Sequence, residues 1–308
     1  MANRRRGEPI DGWLVLDKPV GMTSNAAVIA VRRLLNAAKA GHAGTLDPLA
    51  SGVLPIALGE ATKTVACAMN GRKTYRFLVA WGQARDTDDR EGRITAESPV
   101  RPDGGAIAAI LPRFAGTLLQ RPPAFSALKV EGRRAYERAR EGDPAELAPR
   151  PVEISELRLL AQPDPDHAEF EAVVGKGTYI RALARDLGEA LGTVAHIAAL
   201  RRLSVGGFGV ESAISLDKLA ALGHSAAAFG HLLPIETALD DIPALALTEA
   251  EAHRLRCGQA VTPLRPTDRA RIDQLGDGAT VCATTGGKLV ALTEIAAGAL
   301  RPVRVMNR

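Results

Sequence analysis

Apolar residues along this chain fall into short runs set off by glycine, proline and charge. Trp13 to Asp17 (WLVLD) reads as a strand that ends at the turn KPVGMTS. Thr23 and Ser24 suit the start of a helix running to about Asn36, whose Val28, Val31 and Leu35 share one face. A second helix is predicted over Glu60 to Met69, and Thr74 to Trp81 (TYRFLVAW) is a strand by its aromatic and β-branched content. The acidic stretch RDTDDREG reads as a solvated turn, with a helix after it near Ala106 to Arg113. VEISELRLL and HAEFEAVV form a predicted hairpin joined by QPDPD. Thr178 to Leu191 is helical by period, with Ile180, Ala184 and Leu187 in line, and Gly192 ends it.

Two segments differ from the rest. Residues 120–151 carry seven basic and five acidic side chains between proline clusters, and read as a protruding loop with a short helix near Ala135 to Glu141. Beyond Ile242-Pro243 the runs Thr280–Ala283 and Leu289–Leu292, broken by Gly286-Gly287, and then ALRPVRVMN, read as a small β-rich module. The boundaries that follow are 1–243 and 244–308, with no internal repeat or low-complexity tract.

At 308 residues the chain is long enough for one large domain and a small one, and 46% apolar content is that of a globular protein. A net charge of +4 permits a polyanionic partner without requiring one. Cys67, Cys257 and Cys282 are far apart, with no CxxC, and the six histidines form no HExxH. A reducing cytoplasm and no bound metal or cofactor are therefore expected. No stretch of about 18 apolar residues appears, so no membrane span is expected. The opening MANRRRGEP lacks the apolar run of a signal peptide and reads as a frayed basic arm.

The stretch GHAGTLDPLASGVLP, residues 41–55, places Asp47 among three glycines and two prolines with only His42 as an ionisable neighbour. Asp-Pro is a helix-start signature, which gives Asp47 a plain structural role as N-cap. The chemical alternative is a carboxylate left free by its local sequence to act as nucleophile or base, with Gly41, Gly44 and Gly52 admitting a bulky ligand. Asp86-Thr87-Asp88-Asp89 fails as a calcium loop because Arg90 and Glu91 stand where a ligand and a glycine are needed. GKGTYIR, residues 175–181, lacks the spacing of a phosphate loop, although a helix start bearing Tyr179 and Arg181 suits an anion. His42 reads locally as a turn residue and Leu200 as core, while Arg201 and Arg202 could reach phosphates.

Taken in order, KPVGMTS, GHAGTLDPLASGVLP, GEATK, RKTYRF, PPAFSALKVEGRRAY, GKGTYIRALARDLG and AHIAALRRLSVGGF resemble the TruB-type tRNA pseudouridine-55 synthases, densely over residues 12–210. The resemblance implies an α+β fold: a mixed, largely antiparallel sheet with flanking helices, plus a C-terminal module similar to the PUA type. It implies conversion of uridine to pseudouridine in the TΨC loop of tRNA, without cofactor or metal, by a base-flipping enzyme. Asp47 matches the essential aspartate, for which attack at C6 and action at C1′ both stand open. Arg181 matches the arginine that pairs with it, and a nearby cation keeps a buried carboxylate ionised. Tyr75 matches a tyrosine stacked on the uracil, its hydroxyl a candidate for the C5 proton. Tyr179 and Leu200 match residues lining the uracil site, and His42 a histidine that fills the space the uridine leaves. The insertion at 120–151, with Lys129, Arg133 and Arg134, resembles an RNA clamp, and Lys18, Arg201 and Arg202 are further expected RNA contacts. One departure is Arg85, where the family's turn usually has threonine. A monomer acting on the T-arm stem-loop is expected. The rival readings are a guide-RNA-dependent relative, which the short ends leave little room for, and an RNA-folding chaperone with incidental catalysis.

Overall fold

A computed structural model describes residues 7–130 and 132–307; most of the predicted basic arm lies outside them. The first strand, β1 (Gly12–Lys18), buries successive residues on opposite faces. Leu14 and Leu16 join one apolar cluster, Trp13 and Val15 the other. A strand covered on both faces is apolar throughout, which is why WLVL shows no alternation. The helix α1 (Ser24–Leu34) starts at Thr23, whose hydroxyl accepts the Ala26 N–H at 3.1 Å.

After β2 (Ala40–His42) no helix begins at Asp47: Asp47 to Ala50 form a turn closed by the Ala50 N–H on the Asp47 carbonyl at 3.1 Å. Strand β3 (Ser51–Leu58) follows, where the sequence reading expects no strand, and Pro55 stands inside it. The proline fits because the pairing changes there. Ala43 donates to the Pro55 carbonyl at 2.9 Å, Pro55 has no N–H to return the bond, and the β2–β3 ladder stops. A 3₁₀ turn and the short helix α2 (Val65–Asn70) stand where one longer helix is predicted.

Strand β4 (Lys73–Trp81) leads to the small hairpin of β5 (Gln83–Arg85) and β6 (Ile94–Glu97), which carries the acidic turn. Helix α3 (Gly104–Ile110) and β7 (Gly116–Gln120) come next. The 120–151 insertion holds a two-residue ladder, β8 (Lys129–Val130) with β9 (Arg133–Arg134), and helix α4 (Ala135–Arg140). Ala135, Ala145 and Leu147 give it a small core of its own. The predicted hairpin is β10 (Arg150–Asp164) with β11 (His167–Val174); β10 runs through most of QPDPD, so the connection is shorter than expected. Helix α5 (Ile180–Ala190) and β12 (Ala195–Val205) follow.

The chain then adds β13 (Phe208–Gly209), β14 (Ile214–Ser215), α6 (Leu216–Leu222), α7 (Ala226–Phe229) and β15 (Leu232–Leu233). Eleven strands form the main sheet, with the path β14-β1-β3-β12-β4-β11-β10-β7. Only β1 with β14 and β3 with β12 pair in parallel, so the sheet is mixed and mostly antiparallel. The last sheet is β16 (Ala244–Ala246), β17 (Thr280–Thr285), β18 (Lys288–Ala296) and β19 (Ala299–Val305). Two helices, α8 (Glu249–Arg256) and α9 (Pro266–Leu275), accompany it and were not legible in the sequence. Cys282, Leu289, Leu292 and Met306 from this end pack with Trp13, Val15 and Phe208 of the main sheet.

Candidate active site

Asp47 stands in the turn between β2 and β3, and the loop's shape is imposed from four directions. Ser24 at the start of α1 accepts the Leu46 N–H at 2.8 Å and donates to its carbonyl at 2.9 Å. Gly21, at φ +85°, donates its N–H to the Pro48 carbonyl at 2.7 Å. Lys18 is fully buried, and its ammonium bonds the carbonyls of Pro19, Met22 and Pro48 at 2.8, 2.7 and 3.5 Å. Arg202 on β12 is 1% exposed and holds the carbonyls of Gly44, Thr45 and Val53 at 3.1, 3.4 and 2.8 Å. Lys18 and Arg202, both expected to contact RNA, therefore support the loop from beneath and present no cation to solvent. The signal in KPVGMTS was a scaffold, which an isolated Lys-Pro cannot announce.

The missing partner of Asp47 is Arg181, at the start of α5. Its Nε donates to Asp47 Oδ2 at 2.9 Å, while Nη1 reaches the Thr87 carbonyl at 2.8 Å and Nη2 the Phe125 carbonyl at 2.9 Å. The Asp89 carboxylate lies 3.7 Å from Nη1. The Arg181 side chain is 6% exposed and that of Asp47 is 35% exposed, so the guanidinium is enclosed and the carboxylate keeps an open face.

The sequence reading has the acidic turn solvated; Asp86 is exposed, but Asp88 and Asp89 are drawn inward. Asp89 is buried, and Asp88 pairs with Arg185 of α5 at 2.9 Å. Two bonds fix the turn to β12: Ile197 N–H to the Asp88 carbonyl at 3.0 Å and Arg90 N–H to the Ile197 carbonyl at 2.9 Å. Arg85 closes the turn by donating to the Gly92 carbonyl at 2.8 Å. The carboxylates looked free because their cations lie about a hundred residues away in sequence.

A cleft of about 690 Å³ opens beside Asp47. Tyr75, Tyr179, Leu200 and Arg181 line it with Asp47, as do Lys73 and Lys176. Its walls thus combine aromatic and aliphatic surface with a few ionic groups, a lining suited to a flat heterocycle on a polyanionic chain. Burial raises the Tyr179 phenol above its usual range and lowers the Lys73 ammonium to about 8. His42 does not line this cleft. Its imidazole is held in the neutral form by burial and then by Arg202, and Nδ1 has no hydrogen-bond partner.

The glycines also divide. Gly44 borders the cleft at φ +90°, but a side chain at Gly52 would strike the Arg202 backbone, so that glycine serves strand packing. Lys129 and Arg134 are exposed on the insertion, whereas Arg133 is paired with Glu141 at 2.7 Å and Arg201 with Asp17 at 2.8 Å. No three His, Cys, Asp or Glu side chains converge as metal ligands among the described residues, and no helix there is long and apolar enough to cross a membrane.

Comparison with known proteins gives this arrangement a family. Residues 32–180 match the N-terminal domain of the TruB family pseudouridylate synthases, and residues 181–240 the tRNA pseudouridylate synthase B C-terminal domain. A tRNA pseudouridine synthase B of Rhodospirillum rubrum is 57% identical over 100% of both chains, and one of Caulobacter vibrioides is 53% identical over 100% of this chain and 99% of its own. The protein also shares its fold with a chain of a Cbf5-Nop10-Gar1 complex, at TM-score 0.74 and 27% identity over 96% of this chain and 84% of that one. With a full-length likeness of this strength, the chain belongs to the TruB family of pseudouridylate synthases.

Proposed function

We propose that this enzyme converts uridine to pseudouridine in the TΨC loop of tRNA, at position 55, with Asp47 as the catalytic carboxylate. The observation that carries the reading is the Asp47–Arg181 pair at 2.9 Å beside a cleft lined by Tyr75, Tyr179 and Leu200. The relatives matched over their whole length are tRNA pseudouridine synthases B, which supports tRNA as the substrate. A uridine in an RNA loop must leave its stack to enter the cleft, at a cost of a few kcal/mol. There Tyr75 offers a face to the uracil, and Tyr179 and Leu200 close the sides. Arg181 holds and orients Asp47 while the N1–C1′ bond breaks, C5 bonds to C1′, the C5 proton leaves and N1 takes up a proton. Lys129 and Arg134 on the insertion meet the RNA backbone, and residues 244–308 form a PUA-like module that grips the same tRNA. The enzyme acts as a monomer in the cytoplasm.

The test is tritium release from C5-labelled uridine in unmodified tRNA. Asp47→Asn should abolish turnover and retain RNA affinity; unchanged turnover would remove Asp47 as catalyst. A second reading is a guide-RNA-dependent enzyme working within a protein complex; one solved structure of similar fold comes from a Cbf5-Nop10-Gar1 complex. Activity of the purified chain on a bare T-arm stem-loop dismisses that reading, and inactivity without added guide RNA supports it.

A further inference from the structure

Arg181 is not the only arginine through which α5 reaches the acidic turn and the insertion. Arg185 stands four residues on, one helical turn along the same face. Its Nη1 donates to Asp88 Oδ2 at 2.9 Å and its Nη2 to the Arg121 carbonyl at 2.7 Å. Nε and Nη2 also hold Asp186 Oδ1 at 3.0 and 2.8 Å. Arg181 takes the Thr87 and Phe125 carbonyls, so the two side chains grip the same two segments, one turn apart. The Gln120 side-chain amide adds a reciprocal pair with the Tyr179 backbone where the insertion begins, accepting its N–H at 2.9 Å and donating to its carbonyl at 3.2 Å.

Arg185 does not border the cleft that holds Asp47. It lines a separate cavity of about 420 Å³, with Arg121 and Asp186. Asp88, its partner, holds a positive φ of +58°, uncommon for a residue with a side chain. Thr87 and Asp89, its neighbours, are the residues that face Arg181. A shift of Asp88 would therefore carry along the acceptors that aim the guanidinium at Asp47.

We propose that Arg185 and Asp88 form a second latch, acting as positioning residues that fix the acidic turn and the insertion root, and thereby the orientation of Arg181 on Asp47. This rests on the reading of Asp47 and Arg181 as the catalytic pair. The latch touches no substrate, so its loss appears in the chemical step and hardly in RNA binding. The charged groups that act most on Asp88 are Arg185, Arg181 and Asp186, all from α5, and the buried Asp89 is its chain neighbour. Burial raises the Asp88 carboxyl to about 6 against the pull of these arginines, so the latch gains its full charge only above that pH.

The experiment measures single-turnover rate, tRNA affinity and thermal midpoint for Arg185→Gln, Asp88→Asn and the double variant, with rates expressed per folded molecule. Each single variant should lose about tenfold or more in rate with less than about a threefold change in Kd. The double variant should be no slower than either single one, because both changes remove one interaction. The wild-type rate should fall as pH drops through about 6, and Asp88→Asn should lack that fall. Arg185→Lys, which keeps the charge but cannot serve all these acceptors, should give an intermediate rate and stands in if Arg185→Gln does not fold. Wild-type rates per folded molecule, or an unshifted pH profile in Asp88→Asn, would overturn the latch. Asp47→Asn run alongside separates the two readings: if it stays active the catalytic pair fails, and if it is dead while Arg185→Gln is fully active, only the latch fails.

Discussion

At the scale of single residues, the site is governed by buried cations that work on backbone. Lys18, Arg181 and Arg202 are all buried and together hold carbonyls from five separate loops or strands. Arg181 alone serves Asp47, Thr87 and Phe125, so its loss frees the carboxylate and loosens two segments. Arg181→Ala should lower single-turnover rate on the order of 10²–10³-fold, the range seen when one preorganised donor is removed, with a change of a few fold in RNA affinity. Arg181→Lys should recover little of it, because an ammonium lacks the planar fork that meets three acceptors. Equal single-turnover rates for Arg181→Ala and wild type would count against the pairing.

Lys73 carries a second prediction at this scale. Burial lowers it to about 8, and its ammonium bonds the Met69 and Gly71 carbonyls. Between about 8 and its unfolded value of 10.5 the unfolded chain holds the proton and the folded one releases it. Stability therefore rises with pH in that window. Urea unfolding across the window should show a smaller rise in Lys73→Met than in wild type; parallel curves would refute the assignment.

Among the elements, β3 shows how tightly the nucleophile loop is joined to the sheet. Gly52 at φ +104° lies where β3 meets β12, and a Cβ there would stand 2.1 Å from the Arg202 carbonyl oxygen. Gly52→Ala should cost about 3 kcal/mol, from backbone strain and the displacement of Arg202, and should lower the thermal midpoint by several degrees. A variant that melts with the wild type would show that β12 yields freely. Arg202 also carries the Gly44 and Thr45 carbonyls of the Asp47 loop, so the same variant should lose turnover beyond its loss of stability.

For the whole molecule, the second sheet is not an appended bead. Cys282, Leu289, Leu292 and Met306 share a core with Trp13, Val15, Val53 and Phe208, and Lys63 donates to the Val305 carbonyl at 2.8 Å. Burial pushes the Cys282 thiol up to about 12, as expected of a side chain sealed in that seam. A chain ending at residue 243 would expose the seam of β1 and β3 to water. Such a truncation should aggregate or melt well below the full chain, and calorimetry of the full chain should show one transition. Two separate transitions, with an unchanged first midpoint in the truncated form, would make the sheets independent.

The sequence by itself determined the elements whose cause is local. WLVLD, TYRFLVAW and the hairpin around HAEFEAVV follow from burial pattern, α1 from its Thr23 cap and α5 from its period. The ordered motifs also gave the family, because their combination is specific even where each is weak. The tertiary structure decided which charges are paired and which face water. Asp47 and Arg181 meet across 134 positions, Arg185 and Asp88 across 97, and Arg202 and Val53 across 149. No window of sequence holds both partners of such a pair, so a buried cation reads like one awaiting phosphate, as Lys18 and Arg202 did. Pro55 in a central strand is legible only once it is known where the ladder beside it ends. Local propensity acts over a turn or two of chain, whereas burial and charge pairing are settled by neighbours that only the folded sheet brings together.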